Sequence, residues 1–218
     1  MLSDLKSWAP ELLEGLRLTV GMTFGSMAIA LVLGLLLALG RISHSAWLRA
    51  PVVVFVELIR GSPLLLQLFY IYYVLPTFGL KLTPIEAGLL GLGINYGAYL
   101  SEVFRGGIAA VSAGQREAAE SLGMSGAQTM RFIILPQAWR IVIPPTGNYF
   151  VSLFKDTALV STISIAELMF QGQLIASDTF HYMRIYSIVF VIYVAISIPA
   201  SMGVRWLERH SNRSLATR

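Results

Sequence analysis

At 218 residues, with 56% hydrophobic and 13% charged side chains and a mean hydropathy of +0.68, the chain is too apolar for a soluble globular domain. A net charge of only +4, with the basic residues set beside apolar segments and in no continuous stripe, excludes nucleic acid as a partner. The absence of cysteine excludes disulfides, thiolate metal sites and cysteine nucleophiles. What remains is an all-α integral membrane protein, read as one transmembrane domain over residues 1–218.

The N-terminal stretch, MLSDLKSWAPELLEGLRL, carries acids and a proline where a secretory signal carries a basic cluster and a short apolar core, so it reads as mature sequence. Residues 18–40 are 23 uncharged positions, enough to cross a hydrocarbon core of about 30 Å at about 1.5 Å per residue. They predict the first membrane helix. The next polar segment, 41–49, holds two arginines and a histidine. By the positive-inside bias it is cytoplasmic, which puts the N-terminus outside.

A second helix entering near Pro51 carries Glu57 and Arg60 at a spacing that pairs them across one turn. It then meets Gly61-Ser62-Pro63, about 16 Å deep at helical rise and so near the bilayer midplane. Such a break frees backbone groups that lipid cannot satisfy, so this turn must face protein or a water-filled cavity. Ser62 is then part of a packed kink, or of a kink that also touches substrate. Residues 64–80 complete the crossing, with Phe69, Tyr70, Tyr72 and Tyr73 as an interfacial aromatic belt, and 79–84 form an outer turn. A third helix starts near Pro84 and returns inward, uncharged over 87–101. Its glycines at 88, 91, 93 and 97 suit close helix packing, and Asn95 is an interhelical hydrogen bond or a ligand. Glu102 and Arg105 lead it into water.

The polar stretch 112–136 follows. Ser112 with Gln115, and Ser125 with Gln128, each fit the capping box, in which a serine oxygen takes an orphan N–H and the glutamine reaches back. Gly123 suits the left-handed residue that closes a first helix of about ten residues, and Pro136 ends or kinks the second. A helix, a glycine turn and another helix on the cytoplasmic side are predicted. On spacing alone this hairpin is a surface corner or a docking element.

After Arg140 the fourth crossing reads as short and broken by Pro144-Pro145, ending at Lys155-Asp156. Asp156 pairs locally with Lys155 at a wet interface, or offers an anion to an amino group in a cavity. An ionisable group at the core centre costs at least about 2.5–3.5 kcal/mol, so Asp156 and Glu167 both call for a reason. Residues 157–178 predict a short non-spanning helix in the outer half, and 185–204 supply 20 uncharged positions for the last crossing. Arg41, Arg49, Arg105, Arg116, Arg131, Arg140 and the four arginines from 205 onward put ten of sixteen basic residues on the cytoplasmic side. About five crossings, N-terminus outside and C-terminus inside, is the arrangement they support.

No G-x-x-x-x-G-K-[ST] phosphate loop occurs, nor any Gly-Lys pair, so the chain has no such site for ATP. The three histidines, at 44, 181 and 210, lie far apart and suggest no metal cluster, and no serine–histidine–acid grouping stands out. The expectation is a non-enzymatic subunit that itself binds no cofactor and no metal.

These residues together resemble the permease subunits of polar amino-acid ABC importers, the histidine, glutamine, glutamate and cystine permease family with the type I fold. Glu117-Ala118-Ala119, then Gly123, then Ile133-x-Leu135-Pro136 fit that family's cytoplasmic EAA loop without a gap. The run from Glu57 through Gly61-Ser62-Pro63 to Leu64, Asn95 with Gly97-Ala98-Tyr99, Gln137-Ala138, Pro144-Pro145, Lys155-Asp156-Thr157 and Glu167-Leu168 match in order. Ser62 stands where relatives often have threonine and keeps the hydroxyl. The likeness runs from Leu16 to the tail.

The resemblance implies import of a polar amino acid across a bacterial inner (cytoplasmic) membrane, delivered by a periplasmic or extracellular binding protein. It implies a second permease subunit, identical or homologous, and a cytoplasmic ATPase dimer that holds ATP and Mg. It implies that the EAA loop is a coupling helix seated in the ATPase, with Arg116, Glu117, Ala118, Ala119, Gly123 and Met124 at the contact. Substrate is then expected between the Ser62 break and the Asp156–Glu167 region, its ammonium near the two acids and its backbone groups bonded by Ser62 or Asn95. Every amino acid carries that ammonium, so the acids do not specify a basic substrate. An ion-gradient-driven secondary transporter of small polar solutes is the alternative, and a membrane scaffold that only docks through the hairpin is another.

Overall fold

A computed structural model describes residues 2–213, and among these the regular structure is all helical. The first helix, α1 (Leu2–Arg41), is 40 residues long, so the span expected from 18–40 is only its apolar part. The polar beginning continues the same helix because Trp8, Leu12 and Leu16 recur at helical spacing and bury against Leu168, Ile175, Ile185 and Val189 from the end of the chain.

The second helix, α2 (Ala46–Gly61), begins before Pro51 and carries that proline inside it. Ser62 leaves the helical region at φ −112° and ψ 146°, and Pro63 has no N–H with which to continue. The chain therefore turns by 108° between 46–61 and 64–78. That angle exceeds a kink. The second half leaves the axis of the first, as in a broken span or re-entrant loop, and does not simply complete it. It consists of α3 (Leu64–Phe69), a π turn (Tyr70–Val74) and a 3-10 turn (Leu75–Phe78), closed by Gly79 at φ 88°.

The next helix, α4 (Pro84–Ala109), starts on a capping box at Thr83: Glu86 N donates to Thr83 Oγ1 at 3.3 Å and Thr83 N to Glu86 Oε2 at 2.8 Å. It is the axis of the bundle. Where it packs on α1, a Cβ added to Gly34 would lie 3.0 Å from the Gly97 carbonyl, so small residues let the two helices come close. Two short helices follow, α5 (Ala113–Ser121) and α6 (Gly126–Thr129).

The expected stop at Pro136 is not there. A π turn (Met130–Ile134) joins α6 to α7 (Leu135–Asp156), and Leu135 N donates to Met130 O, one residue further back than in an α-helix. This widened turn takes up the proline, and Gln137 Nε2 bonds the Ile133 carbonyl at 2.9 Å. Pro144 and Pro145 do not break α7 either. Each removes an N–H donor, but proline's fixed φ near −65° is itself helical. The interruption falls later, in a 3-10 segment (Thr157–Ile163), ahead of α8 (Leu168–Thr179), which bends 51° from the preceding rod. The last helix among the described residues is α9 (Tyr182–Arg213).

By length and composition, Ser7–Arg41 and Tyr182–Arg209 can each cross a membrane alone, and up to four spans result if each bent pair counts as one. The expected third crossing, α4, is long enough at 26 residues but is not among them. Its polar Asn95, Tyr96 and Ser101 are buried inside the bundle, where protein partners replace lipid.

Candidate functional site

The residues singled out from sequence fall mainly into two groups: the hairpin after α4, and the polar groups around the Ser62 break. In the hairpin, α5 closes on a full Schellman motif, with Gly123 N donating to Glu120 O at 2.9 Å and Met124 N to Ala119 O at 3.0 Å. The motif needs a left-handed residue, and Gly123 supplies φ 75°. The capping box at Ser125 also forms, with Ser125 N donating to Gln128 Oε1 at 2.8 Å and Gln128 N to Ser125 Oγ at 3.4 Å.

The box expected at Ser112 does not form, since the Ser112 side chain makes no capping bond. Its backbone carbonyl accepts from Gln115 N at 3.0 Å, while the Gln115 side chain turns outward to accept from Gln137 Nε2 at 3.4 Å. Arg116, Glu117, Ala118 and Gly123 are exposed, Met124 is half-buried, and Ala119 is buried at 3% exposure. Leu122, 81% exposed beside the turn, adds an apolar tip.

At the break, the Ile59 carbonyl would normally serve the N–H of residue 63, which is proline. Gln67 Nε2 donates to it instead at 2.7 Å, and lies 3.2 Å from Ser62 O and 2.9 Å from Ser62 Oγ. Ser62 Oγ donates back to Leu58 O at 2.9 Å. Asn95 Nδ2 then donates to Gln67 Oε1 at 3.1 Å. Ser62 and Asn95, both singled out from sequence, are thus joined through a residue that was not. The signal for Gln67 was available: it is the one polar side chain in the apolar run 64–69, one turn after a proline.

Asp156 arrives at the same part of α4 from the end of α7. Among the described ion pairs none joins it to Lys155; Tyr96 Oη donates to Asp156 Oδ2 at 2.7 Å. Tyr96 meets Tyr149 edge-to-face and Tyr99 meets it at a tilt, at ring separations of 6.2 and 5.8 Å. Ser62 and Asp156 thus reach α4 at neighbouring positions, Ser62 through Gln67 at Asn95 and Asp156 at Tyr96.

Glu167 lies apart in a buried knot between α1, α8 and α9. Its Oε1 accepts from Phe170 N at 2.9 Å, capping α8, and its Oε2 accepts from Tyr193 Oη at 2.9 Å and Thr19 Oγ1 at 3.2 Å. Thr19 and Tyr193 carried no sequence signal, because each becomes polar machinery only through a helix distant in the chain. An apolar groove of about 800 Å³, lined by residues including Leu31, Leu35, Phe104, Trp139 and Val142, touches neither Asp156 nor Glu167.

Residues 30–216 match the family described as binding-protein-dependent transport system inner membrane component. The chain is similar to a probable amino-acid ABC transporter permease protein of Sinorhizobium fredii (strain NBRC 101917 / NGR234), 45% identical over 199 residues, covering 91% of this chain and 86% of that protein. It is similar also to the glutamine transport system permease protein of Escherichia coli (strain K12), 39% identical over 203 residues, 92% of each chain. A solved structure, the crystal structure of an amino acid ABC transporter with histidines, matches at a TM-score of 0.91 and 39% identity over 96% of this chain and 97% of that one.

Proposed function

This chain belongs to the family of binding-protein-dependent transport system inner membrane components, as a permease subunit of an ABC importer with the type I fold, and on that premise we propose that its solute is a polar amino acid. Membership sets aside the ion-gradient reading. In the proposed cycle a binding protein on the outer face delivers the amino acid, and a cytoplasmic ATPase dimer hydrolyses ATP. A second permease subunit completes the pathway in the cytoplasmic membrane, which each chain crosses about five times with its N-terminus outside.

The observation that carries the coupling reading is the hairpin. A short element closed at Gly123 and capped at Ser125, with Arg116, Glu117, Ala118 and Leu122 exposed, is built to bear force and to offer a surface. The end of α5 and the start of α6 are each satisfied without help from the bundle, so the turn between them keeps its shape when pushed. We assign the ATPase contact to it, with Ala119 and Met124 holding the turn from inside.

The amino acid passes, in this reading, beside the Ser62–Gln67–Asn95 chain and Asp156. The carboxylate attracts the ammonium group and the amides bond the backbone groups. Glu167, with both oxygens engaged by Thr19, Tyr193 and Phe170, serves the site through α8 unless the knot opens during transport.

The test is uptake into proteoliposomes holding the permease, its ATPase and its binding protein. Uptake of a labelled polar amino acid that needs ATP, needs the binding protein and survives an ionophore is the expected result; uptake that collapses with the ionophore and ignores ATP overturns the reading. Asp156→Asn keeps the acceptor for Tyr96 and removes the charge. With it, uptake falls while the protein inserts normally. If Asp156→Asn and Glu167→Gln change neither uptake nor ligand-stimulated ATP hydrolysis, neither acid meets the substrate.

A further inference from the structure

We propose that Glu102 is a positioning residue that locks the last turn of α2 to α4 and so carries movement of the hairpin to the Ser62 break. This rests on the transport reading above and adds the residue through which it acts. Asn95, Tyr99 and Glu102 are spaced four and three residues apart, so they share one face of α4. All three meet the chain between Glu57 and Gln67. Asn95 donates to Gln67 at 3.1 Å, Tyr99 Oη donates to the Arg60 carbonyl at 3.4 Å with the Arg60 guanidinium 5.4 Å from its ring, and Glu102 Oε1 lies 3.7 Å from Arg60 Nη1.

Glu102 is where three helices meet. Its Oε1 also pairs with Arg41 at the end of α1, and its Oε2 accepts from Arg105 Nη2 at 2.8 Å and Nε at 3.1 Å. Glu57 stands 3.6 Å from both Arg41 and Arg60. The side chains of Glu102 and Arg41 are 21% and 10% exposed, so water screens this cluster only in part. Three guanidinium groups share two carboxylates, and Arg41 Nη1 and Arg60 Nε are buried without a partner. Such an under-satisfied cluster has alternative pairings within reach, as an element with two arrangements requires.

The other end of the linkage is also on the structure. Past Glu102, Ile108 and Val111 bury against Ile134 and Ala138 on the hairpin's second leg, and Arg116 of the first leg donates to Ile108 O at 3.5 Å. Both legs therefore grip the end of α4. A shift of the hairpin moves α4 as a rod, Glu102 draws the end of α2 with it, and the chain yields at Ser62. Leu37, Val56 and Ala98 pack α1, α2 and α4 together independently of these charges, so the fold does not depend on Glu102.

The experiment compares wild type with Glu102→Gln in the complete complex in proteoliposomes, reading insertion, basal and ligand-stimulated ATP hydrolysis, and uptake per ATP. With Glu102→Gln, insertion and basal hydrolysis persist while uptake per ATP drops about tenfold, within the range of coupling free energies between sites. Glu102→Asp, which keeps the charge, recovers part of the loss. Insertion, hydrolysis and uptake falling together, with uptake per ATP unchanged, would mean that Glu102 only holds the fold and overturns the proposal. So does a Glu102→Gln complex as tightly coupled as wild type. A wild-type complex without ATP-driven uptake overturns the transport reading and this proposal with it.

Discussion

In the hairpin, orphan backbone groups find partners within their own turn: Gly123 and Met124 donate to Glu120 and Ala119, and Ser125 and Gln128 exchange two bonds. At the break, the Ile59 carbonyl that Pro63 cannot serve accepts at 2.7 Å from the Gln67 side chain, with only longer local contacts from Ser62 N at 3.4 Å and Ser62 Oγ at 3.3 Å, and Gln67 is in turn held by Asn95 on another helix. A helix end satisfied locally keeps its form wherever the bundle carries it. One satisfied by a neighbouring helix changes when that helix moves. In the proposed cycle the first kind of element transmits force and the second yields to it.

The hairpin's half of this comparison breaks most completely at Gly123. Proline there cannot adopt φ 75° and removes the N–H that bonds Glu120 O at 2.9 Å, a local cost of about 3 kcal/mol or more. Gly123→Pro abolishes uptake while the protein still inserts, because the turn lies outside the apolar helices. Uptake in proteoliposomes and the amount of permease in the membrane fraction check the two halves of that statement. Near-normal uptake would show that the turn transmits nothing.

The break's half is sharpened by Gln67→Leu. It strips the Ile59 carbonyl, the Ser62 oxygens and Asn95 of one shared partner, and leaving a partly buried polar group unsatisfied costs about 1–3 kcal/mol. Ser62→Ala removes a hydroxyl that mainly serves Leu58 O within its own helix, worth about 0.5–1.5 kcal/mol. Thermal unfolding of the detergent-solubilised permease should rank Gln67→Leu below Ser62→Ala. The reverse order would mean that the serine, and not the glutamine, holds the break.

The same contrast explains what could be read from the residues alone. Gly123, the Ser125–Gln128 box and the Gly61-Ser62-Pro63 break depend on neighbours in sequence, and all three stand where spacing put them. The box at Ser112 failed because Gln115 had a competing partner, Gln137, from across the hairpin. The stops assigned to Pro136 and Pro144-Pro145 failed because a proline sets only its own φ and donor, and a π turn upstream absorbed the first. Membrane-helix character was legible for α1 and α9, which meet their surroundings with apolar side chains. It was least so for α4, whose polar residues are explained only by Gln67, Arg60 and Asp156 on other elements. For Glu167 the sequence offered an unexplained charge, and its cap on α8 with Thr19 and Tyr193 required the fold.

The smallest expected effect tests the local rule itself, because two serines in the hairpin have the same sequence signature and different geometry. Ser125 Oγ accepts from Gln128 N, whereas the Ser112 side chain makes no capping bond. Ser125→Ala should cost about 1 kcal/mol, which makes opening of the turn about fivefold more frequent. Ser112→Ala should stay within about 0.5 kcal/mol, as at an exposed position without a partner. Hydrogen exchange of the backbone amides at 126–129 in the first variant and 113–116 in the second reads each turn separately. Equal acceleration in both would mean that Ser112 caps α5 in solution after all, and that the two ends of the hairpin are equally self-sufficient. Acceleration at 126–129 alone places the stronger lock next to Gly123, on the side that leads into the π turn and α7.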